Sequence, residues 1–309
     1  KVKNIKTVDE FQVQVKLVLQ SIVKQTIENF STNVSEILEP NKPYLFISNH
    51  RDITLDSALC NHAIDSIGLE TTYNAIGDNL VSVNWMGDLL RLNKSFVISR
   101  SGESKKDIYS NLSRASKFIK EKLENGSHVW IAQKQGRSKD GLDKTDPAVL
   151  KMLHIALRKE MSFEHMVSKY NIVPCSISYE IDPLAKEKAQ QLTDSASKKD
   201  NEDITHIFKG VMLDKGNVAL NFGKPIEGEF SAEEMAKEID NVILSNYKLW
   251  DTNIYAYKFL YETVKDDEYP NASAYFNNLR SVMTNKELEY IMNQYANPYK
   301  AQMELKDGR

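Results

Sequence analysis

The residues best suited to chemistry lie where short apolar runs end. Tyr44-Leu45-Phe46-Ile47 stops in Ser48-Asn49-His50-Arg51-Asp52-Ile53-Thr54-Leu55-Asp56, which sets an imidazole, a guanidinium and two carboxylates within seven positions. An imidazole with one nitrogen held by a carboxylate is a general base for taking a proton from a hydroxyl. Asp56, one turn into a helix opening near Asp52, and Asp52 itself are the candidate partners of His50; Asp52 also suits the helix N-cap. Two further runs end in cations. Ser95-Phe96-Val97-Ile98-Ser99 leads to Arg100, and His128-Val129-Trp130-Ile131-Ala132 leads to Gln133-Lys134-Gln135-Gly136-Arg137-Ser138-Lys139-Asp140-Gly141. Arginine binds phosphate in a bidentate way, and glycine lets backbone N–H groups approach an anion. Three such ends point to a hydroxyl substrate carrying phosphate.

These runs must be positioned by a regular scaffold, and their spacing supplies one. Strands are expected at 44–48, 72–76, 95–99, 128–132, 172–178 and 217–222, with helices near 54–67, 84–91, 104–124 and 147–160 between them. Alternating strands and helices predict an α/β fold, a mainly parallel mixed sheet flanked by helices on both faces. Ligands in such sheets bind beyond the carboxyl ends of the strands.

Ahead of this unit, the capping box Thr7-Val8-Asp9-Glu10 opens an amphipathic helix over about 8–29, carrying Phe11, Val15, Val18, Leu19, Ile22 and Ile27 at helical spacing. Packing on its own domain is favoured over docking on a membrane surface, because Glu and Gln share its polar face. Residues 182–209 are polar, with a mobile loop expected at Ser195–Glu202 between helices, and Ser231-Ala232-Glu233-Glu234 opens a helix to about 246. Aromatic-rich helices follow near 252–265, 271–282 and 285–296, with Trp250, Ile254, Tyr257, Tyr261 and Val264 recurring on one face. Core packing is favoured there over contact of this face and its neighbours Tyr255 and Phe259 with a bilayer or acyl chain. The domains read as an N-terminal helix (1–39), a catalytic domain (40–248) and a C-terminal helical appendage (249–309).

Composition narrows the class. The chain has 309 residues, 41% apolar and 27% charged, with a net charge of -3 and a pI near 6.1, which argues against nucleic-acid binding and leaves any anion to local basic clusters. Cys60 and Cys175 sit in apolar segments and read as core residues of a reducing compartment. No apolar run reaches membrane-spanning length, and no signal peptide is expected at the start. The chain lacks a His-Glu-x-x-His or paired-cysteine metal pattern, a Gly-x-Ser-x-Gly elbow, and a Walker or dinucleotide glycine loop. His62, His154, His165 and His206 read as core-edge or surface residues.

The ordered set of motifs resembles the glycerolphosphate/lysophosphatidate acyltransferase superfamily over about residues 40–228. Asn49-His50-Arg51 with Asp56 resembles its His-(four residues)-Asp signature; Ser95–Arg100 its apolar run ending in Arg; and Gln135-Gly136-Arg137-Ser138-Lys139-Asp140-Gly141 its Glu-Gly-(Gly or Thr)-Arg-Ser motif. Residues 172–180, an apolar strand holding Pro174, and 216–226 resemble the fourth motif and the closing strand. The resemblance implies acyl transfer from acyl-CoA or acyl-carrier protein, as co-substrate and with no other cofactor, to a hydroxyl of glycerol 3-phosphate or a lysophosphatidate. His50 would be the base and Asp56 its orienting partner, with direct attack and no acyl-enzyme. Arg100, Arg137 and Lys139 would hold phosphate, Gly136 and Ser138 would shape that loop, and Pro174 would help form the acyl-donor side. The setting it implies is cytoplasmic, peripheral to the cytoplasmic face of a membrane.

Two departures stand out. Five residues, not four, separate His50 from Asp56, and Gln135 or Lys134 stands where the family has Glu. They motivate an alternative, a non-catalytic lipid or acyl-carrier binding protein of the same fold; a thioesterase using the dyad with water is a third reading.

Overall fold

The computed structural model describes residues 5–81, 84–193 and 202–308. Its strands are β1 (Asn29–Thr32), β2 (Leu45–Ser48), β3 (Tyr73–Gly77), β4 (Ser95–Ile98), β5 (Val129–Ala132), β6 (Ile172–Tyr179) and β7 (Asn217–Phe222). Its helices are α1 (Val8–Thr26), α2 (Val34–Ile37), α3 (Leu55–Ser66), α4 (Asn84–Leu92), α5 (Lys105–Glu124), α6 (Pro147–His154), α7 (Ala185–Thr193), α8 (Glu202–Met212), α9 (Ala232–Asn246), α10 (Asp251–Tyr261), α11 (Pro270–Arg280) and α12 (Asn285–Lys306).

The strands form one sheet in the order β1-β7-β6-β2-β5-β3-β4. Every neighbouring pair is parallel except β6 with β7. The carboxyl ends of β2, β3, β4, β5 and β6 therefore share one edge. The expected α/β class, with a mixed, mainly parallel sheet and helices at both chain ends, is what forms.

Side chains alternate across the sheet and build two cores. Leu45 and Ile47 of β2 face α5, α6 and α9, whereas Tyr44 and Phe46 face α3 and the segment Ile27–Leu38. All four are at most 1% exposed. Full burial of an apolar side chain contributes roughly 1.5–3 kcal/mol, so the strand carrying the site is among the most firmly held parts of the chain. A third cluster joins α7 to α10, α11 and α12 through Ala185, Ala189, Tyr255, Phe276 and Tyr295.

Several elements differ from the periodicity. The helix expected to reach residue 29 ends at Thr26, because Asn29–Thr32 leaves it to pair with β7. That edge strand is half exposed and polar, with no alternation to announce it. The helix expected over 147–160 gives way to turns after His154. The last helix runs through Pro298 to Lys306. The loop expected at Ser195–Glu202 lies, except for Glu202, outside the described residues.

Candidate active site

The site begins where β2 ends. Its last backbone rungs pair Ser48 with Ala132 and with Cys175, after which the backbone leaves the sheet. The Asn49 side chain then replaces the next rung: Nδ2 donates to the Ile177 carbonyl at 2.9 Å and Oδ1 accepts from Ile177 N at 2.8 Å. β6 stays satisfied beyond the end of β2, and the chain is free to turn His50 out of the sheet.

His50 Nδ1 meets Asp56 Oδ2 at 2.8 Å. The Asp56 carboxylate, 1% exposed, also accepts from Arg51 N at 2.6 Å and Asp52 N at 2.9 Å, and at Oδ1 from the Tyr179 hydroxyl at 2.9 Å. Donors on every side suit an ionised carboxylate and fix the Nδ1–H tautomer, which leaves Nε2 to accept a proton. Burial, with Asp56 and Asp52 adding to it, pushes the Tyr179 phenol well up, so it remains a donor. The Trp130 ring stands edge-on to the imidazole at 6.0 Å.

Asp52 is occupied elsewhere. Its Oδ1 accepts from Thr54 N at 2.9 Å and Leu55 N at 2.8 Å, closing the turn that leads into α3. Burial, then the nearby Asp56, raises its pKa. A Cβ on Gly210 of α8 would overlap the Asp52 Oδ2, so α8 rests directly on this turn.

The loop after β5 is laced to the loop after β2. Ser138 N donates to His50 O at 2.8 Å, Gln133 N to Ser48 O at 2.8 Å, and the Arg51 guanidinium pairs with Asp143. Burial opposes the charge on Arg51, but Asp143 and the Tyr247 ring, 5.3 Å from the guanidinium carbon, hold it protonated. Gly136 has φ +77°, a left-handed conformation that glycine adopts without strain. Gly141, also at φ +77°, lies so close to α12 that a Cβ would overlap the Gln294 carbonyl.

These loops border a cavity of about 1070 Å³. His50 and Trp130 open into it beside Ile53, Ala75, Ile98, Val149 and Met152, an apolar wall. Arg100, Lys134, Gly136, Arg137 and Lys139 supply a polar rim. Arg100 Nη1 lies 3.3 Å from Gln135 Oε1 and 3.6 Å from Asp146 Oδ2, and Lys134 Nζ donates to the Leu142 carbonyl at 3.2 Å. Arg137 Nη2 donates to His206 Nδ1 at 3.0 Å, while its Nη1 is buried without a partner. A cavity this large, with one apolar wall facing many polar and charged groups, Asp78, Glu187, Glu202 and Asp203 among them, suits a small organic molecule with both apolar and polar parts.

The fold thus gathers His50, Arg100, Gly136, Arg137 and Lys139 around one space, whereas three of the expected residues stand outside its lining: Asp56, which reaches it only through His50, and Ser138 and Pro174. Ser138 is 1% exposed; its Oγ contacts Asp140 Oδ1 at 3.3 Å and donates to the Leu142 carbonyl at 3.1 Å, so it shapes its own loop. Pro174 is buried in β6 opposite Ile47, and its carbonyl accepts from Gly223 N at 2.8 Å, so it serves the sheet. Sequence reasoning gave no role to Trp130 or Tyr179 and set His206 at a core edge or surface. His206 is 4% exposed and borders the cavity. Among the described residues no group of three or more His, Cys, Asp or Glu is placed to hold a metal, and no helix is long and apolar enough to cross a membrane.

Comparison with known proteins gives two findings. The family model described as "Acyltransferase" matches residues 22–178, just over half of the chain. Among solved structures, the 1-acyl-sn-glycerophosphate (LPA) acyltransferase PlsC from Thermotoga maritima is 15% identical, with a TM-score of 0.45 over 76% of this chain and 78% of that one. No curated protein sequence matches.

Proposed function

The chain belongs to the acyltransferase family, and from that premise we propose that it moves a fatty acyl group from an acyl thioester to a hydroxyl of a phosphorylated glycerol, glycerol 3-phosphate or lysophosphatidate. The donor is acyl-CoA or acyl-carrier protein. The observation that carries the reading is the His50–Asp56 pair, at 2.8 Å, opening into the cavity that Arg100 and Arg137 also border.

In this mechanism His50 Nε2 takes the proton of the acceptor hydroxyl as its oxygen attacks the thioester carbonyl. Asp56 keeps the imidazole in the Nδ1–H tautomer and stabilises the imidazolium that forms. The tetrahedral intermediate collapses with loss of the thiolate, which receives the proton from His50, so ester and thiol leave and the base is restored. Arg100, Arg137 and Lys139 face the phosphate, and the apolar wall with Ile53, Val149 and Met152 receives the acyl chain.

We read the protein as docking peripherally on a membrane, where such substrates reside. Val13, Leu17 and Val18 of α1, Trp85 and Leu89 of α4, and Phe208 and Met212 of α8 are large apolar side chains left exposed on three helices that pack together. The purified protein, given acyl-CoA or acyl-carrier protein with each acceptor, is expected to release thiol only when the acceptor is present, with the acylated acceptor seen by mass spectrometry. Free fatty acid released without an acceptor, or no turnover with any pairing, would overturn the reading.

A further inference from the structure

His206 lies on α8, beyond the segment matched by the family model, yet it grips a cation of the cavity. Its Nδ1 accepts from Arg137 Nη2 at 3.0 Å, which in a neutral imidazole places the proton on Nε2. Nε2 stands 3.7 Å from Glu202 Oε1, one turn earlier on α8, and Glu202 also accepts from Gln191 of α7. A chain of polar contacts therefore runs from α7 through α8 to the Gly136-Arg137 loop. Burial, with the Arg137 cation second, lowers the His206 pKa and keeps the ring an acceptor.

This geometry has a consequence for binding. A free arginine side chain loses much rotamer freedom when it settles on an anion, whereas one already held loses less. The grip engages one terminal nitrogen, and the other, Nη1, has no partner in the protein. An anion entering the cavity that Arg137 borders therefore finds a guanidinium already oriented.

We propose that His206 is a positioning residue for the acceptor's phosphate: acting through Arg137, it orients the guanidinium before the acceptor arrives. The strength of the acceptor site is then set partly by α7 and α8, outside the family-matched segment. This rests on the reading above, in which Arg137 meets a phosphate.

The test uses His206→Leu, which keeps bulk but offers no acceptor, and His206→Asn, whose amide oxygen can replace Nδ1. His206→Leu is expected to raise the KM for glycerol 3-phosphate about tenfold, the worth of one hydrogen bond to a charged group. Saturated kcat and the KM for acyl-CoA should stay within about twofold, and His206→Asn should restore the acceptor KM. In an Arg137→Ala background, His206→Leu should add nothing, since the two act as one unit. If Arg137→Ala raises the acceptor KM and His206→Leu does not, the proposal falls while the phosphate reading stands. If Arg137→Ala itself leaves the acceptor KM unchanged, the phosphate reading falls, and this proposal with it. A drop in kcat with both KM values unchanged would show a packing role and overturn the proposal. Where the leucine variant does not fold, His206→Ala takes its place: a roughly tenfold rise in the acceptor KM that His206→Asn does not show upholds the proposal, and an unchanged KM sinks it.

Discussion

Asp56 Oδ2 meets His50 Nδ1 at 2.8 Å across five intervening residues. Between them, Asp52 closes the turn with its own carboxylate and leaves Asp56 in the first turn of α3 facing back toward β2. Arg51 N and Asp52 N then close on the same oxygen as His50. The turn and the dyad are one structure, and the longer spacing keeps the contact.

Removing the base should cost most of the rate. His50→Ala is expected to lower kcat by about 10²–10⁴, the usual contribution of a positioned acid–base group, with little change in melting temperature. Asp56→Asn should lower both, because an amide nitrogen would meet at least one of the donors now converging on the carboxylate. Thiol-release kinetics beside thermal unfolding separate the two; an active His50→Ala protein would end the assignment.

The arginines are expected to act on binding. Arg100→Ala or Arg137→Ala removes a charge-assisted contact worth about 1.5–3 kcal/mol, so the acceptor KM should rise roughly ten- to a hundredfold while the acyl-CoA KM holds. Initial rates over a grid of both substrates decide this, and a selective effect on the acyl-CoA KM would reverse the assigned sides.

Tyr179→Phe would leave the buried Asp56 Oδ1 without its 2.9 Å donor, a loss of about 1–3 kcal/mol. Because burial pushes the phenol upward, Tyr179 stays protonated in the folded protein beyond the pH at which it ionises in the unfolded chain. Its donated bond should therefore be equally present at pH 7 and pH 9. Above the ordinary value of 10.0 the unfolded chain releases the proton first, so stability should decline there relative to the Phe variant. Urea unfolding of both proteins across this range reads the difference; a gap that already closes between pH 7 and 9 would contradict it.

Lys215 gives a pH effect of opposite direction. It is fully buried, with Nζ donating to Thr26 Oγ1 at 3.0 Å and to the Val211 and Leu213 carbonyls, and burial lowers its pKa from 10.5 to about 8. Between those values the unfolded chain binds a proton that the folded chain does not, so stability rises with pH across the window and is level below it. Compared with Lys215→Met, the native chain should gain stability from about pH 8 upward, as followed by chemical denaturation; a constant difference would show that Lys215 keeps its ordinary affinity for protons.

What the sequence disclosed follows from what local pattern can encode. The six strands with apolar runs lie within a residue of where periodicity places them, because each side chain there faces a core on its own account. Asn29–Thr32 has no such run; it becomes a strand because β7 offers an open edge, which no local pattern records. Pro298 sits inside α12, where Ala296 and Tyr295 belong to a tertiary core that outweighs its missing hydrogen bond. At the site, His50, Arg100 and Arg137 stood out because each follows a strand. His206 had no such mark: it lies 69 positions beyond Arg137, and only the folding of α8 over the cavity joins them. Tyr179 was visible as the end of β6, but its bond to Asp56 depends on how far β6 outruns β2.

Asn49 restricts the residue alphabet at one position. Its amide stands in for a peptide group, giving one donor and one acceptor to Ile177 at once. Aspartate would set an acceptor against the Ile177 carbonyl, and serine is too short to span both bonds. Glutamine carries the right group one methylene too far out. Asparagine is the side chain that lets a strand end for one neighbour and continue for the other, and the residue after it is the base.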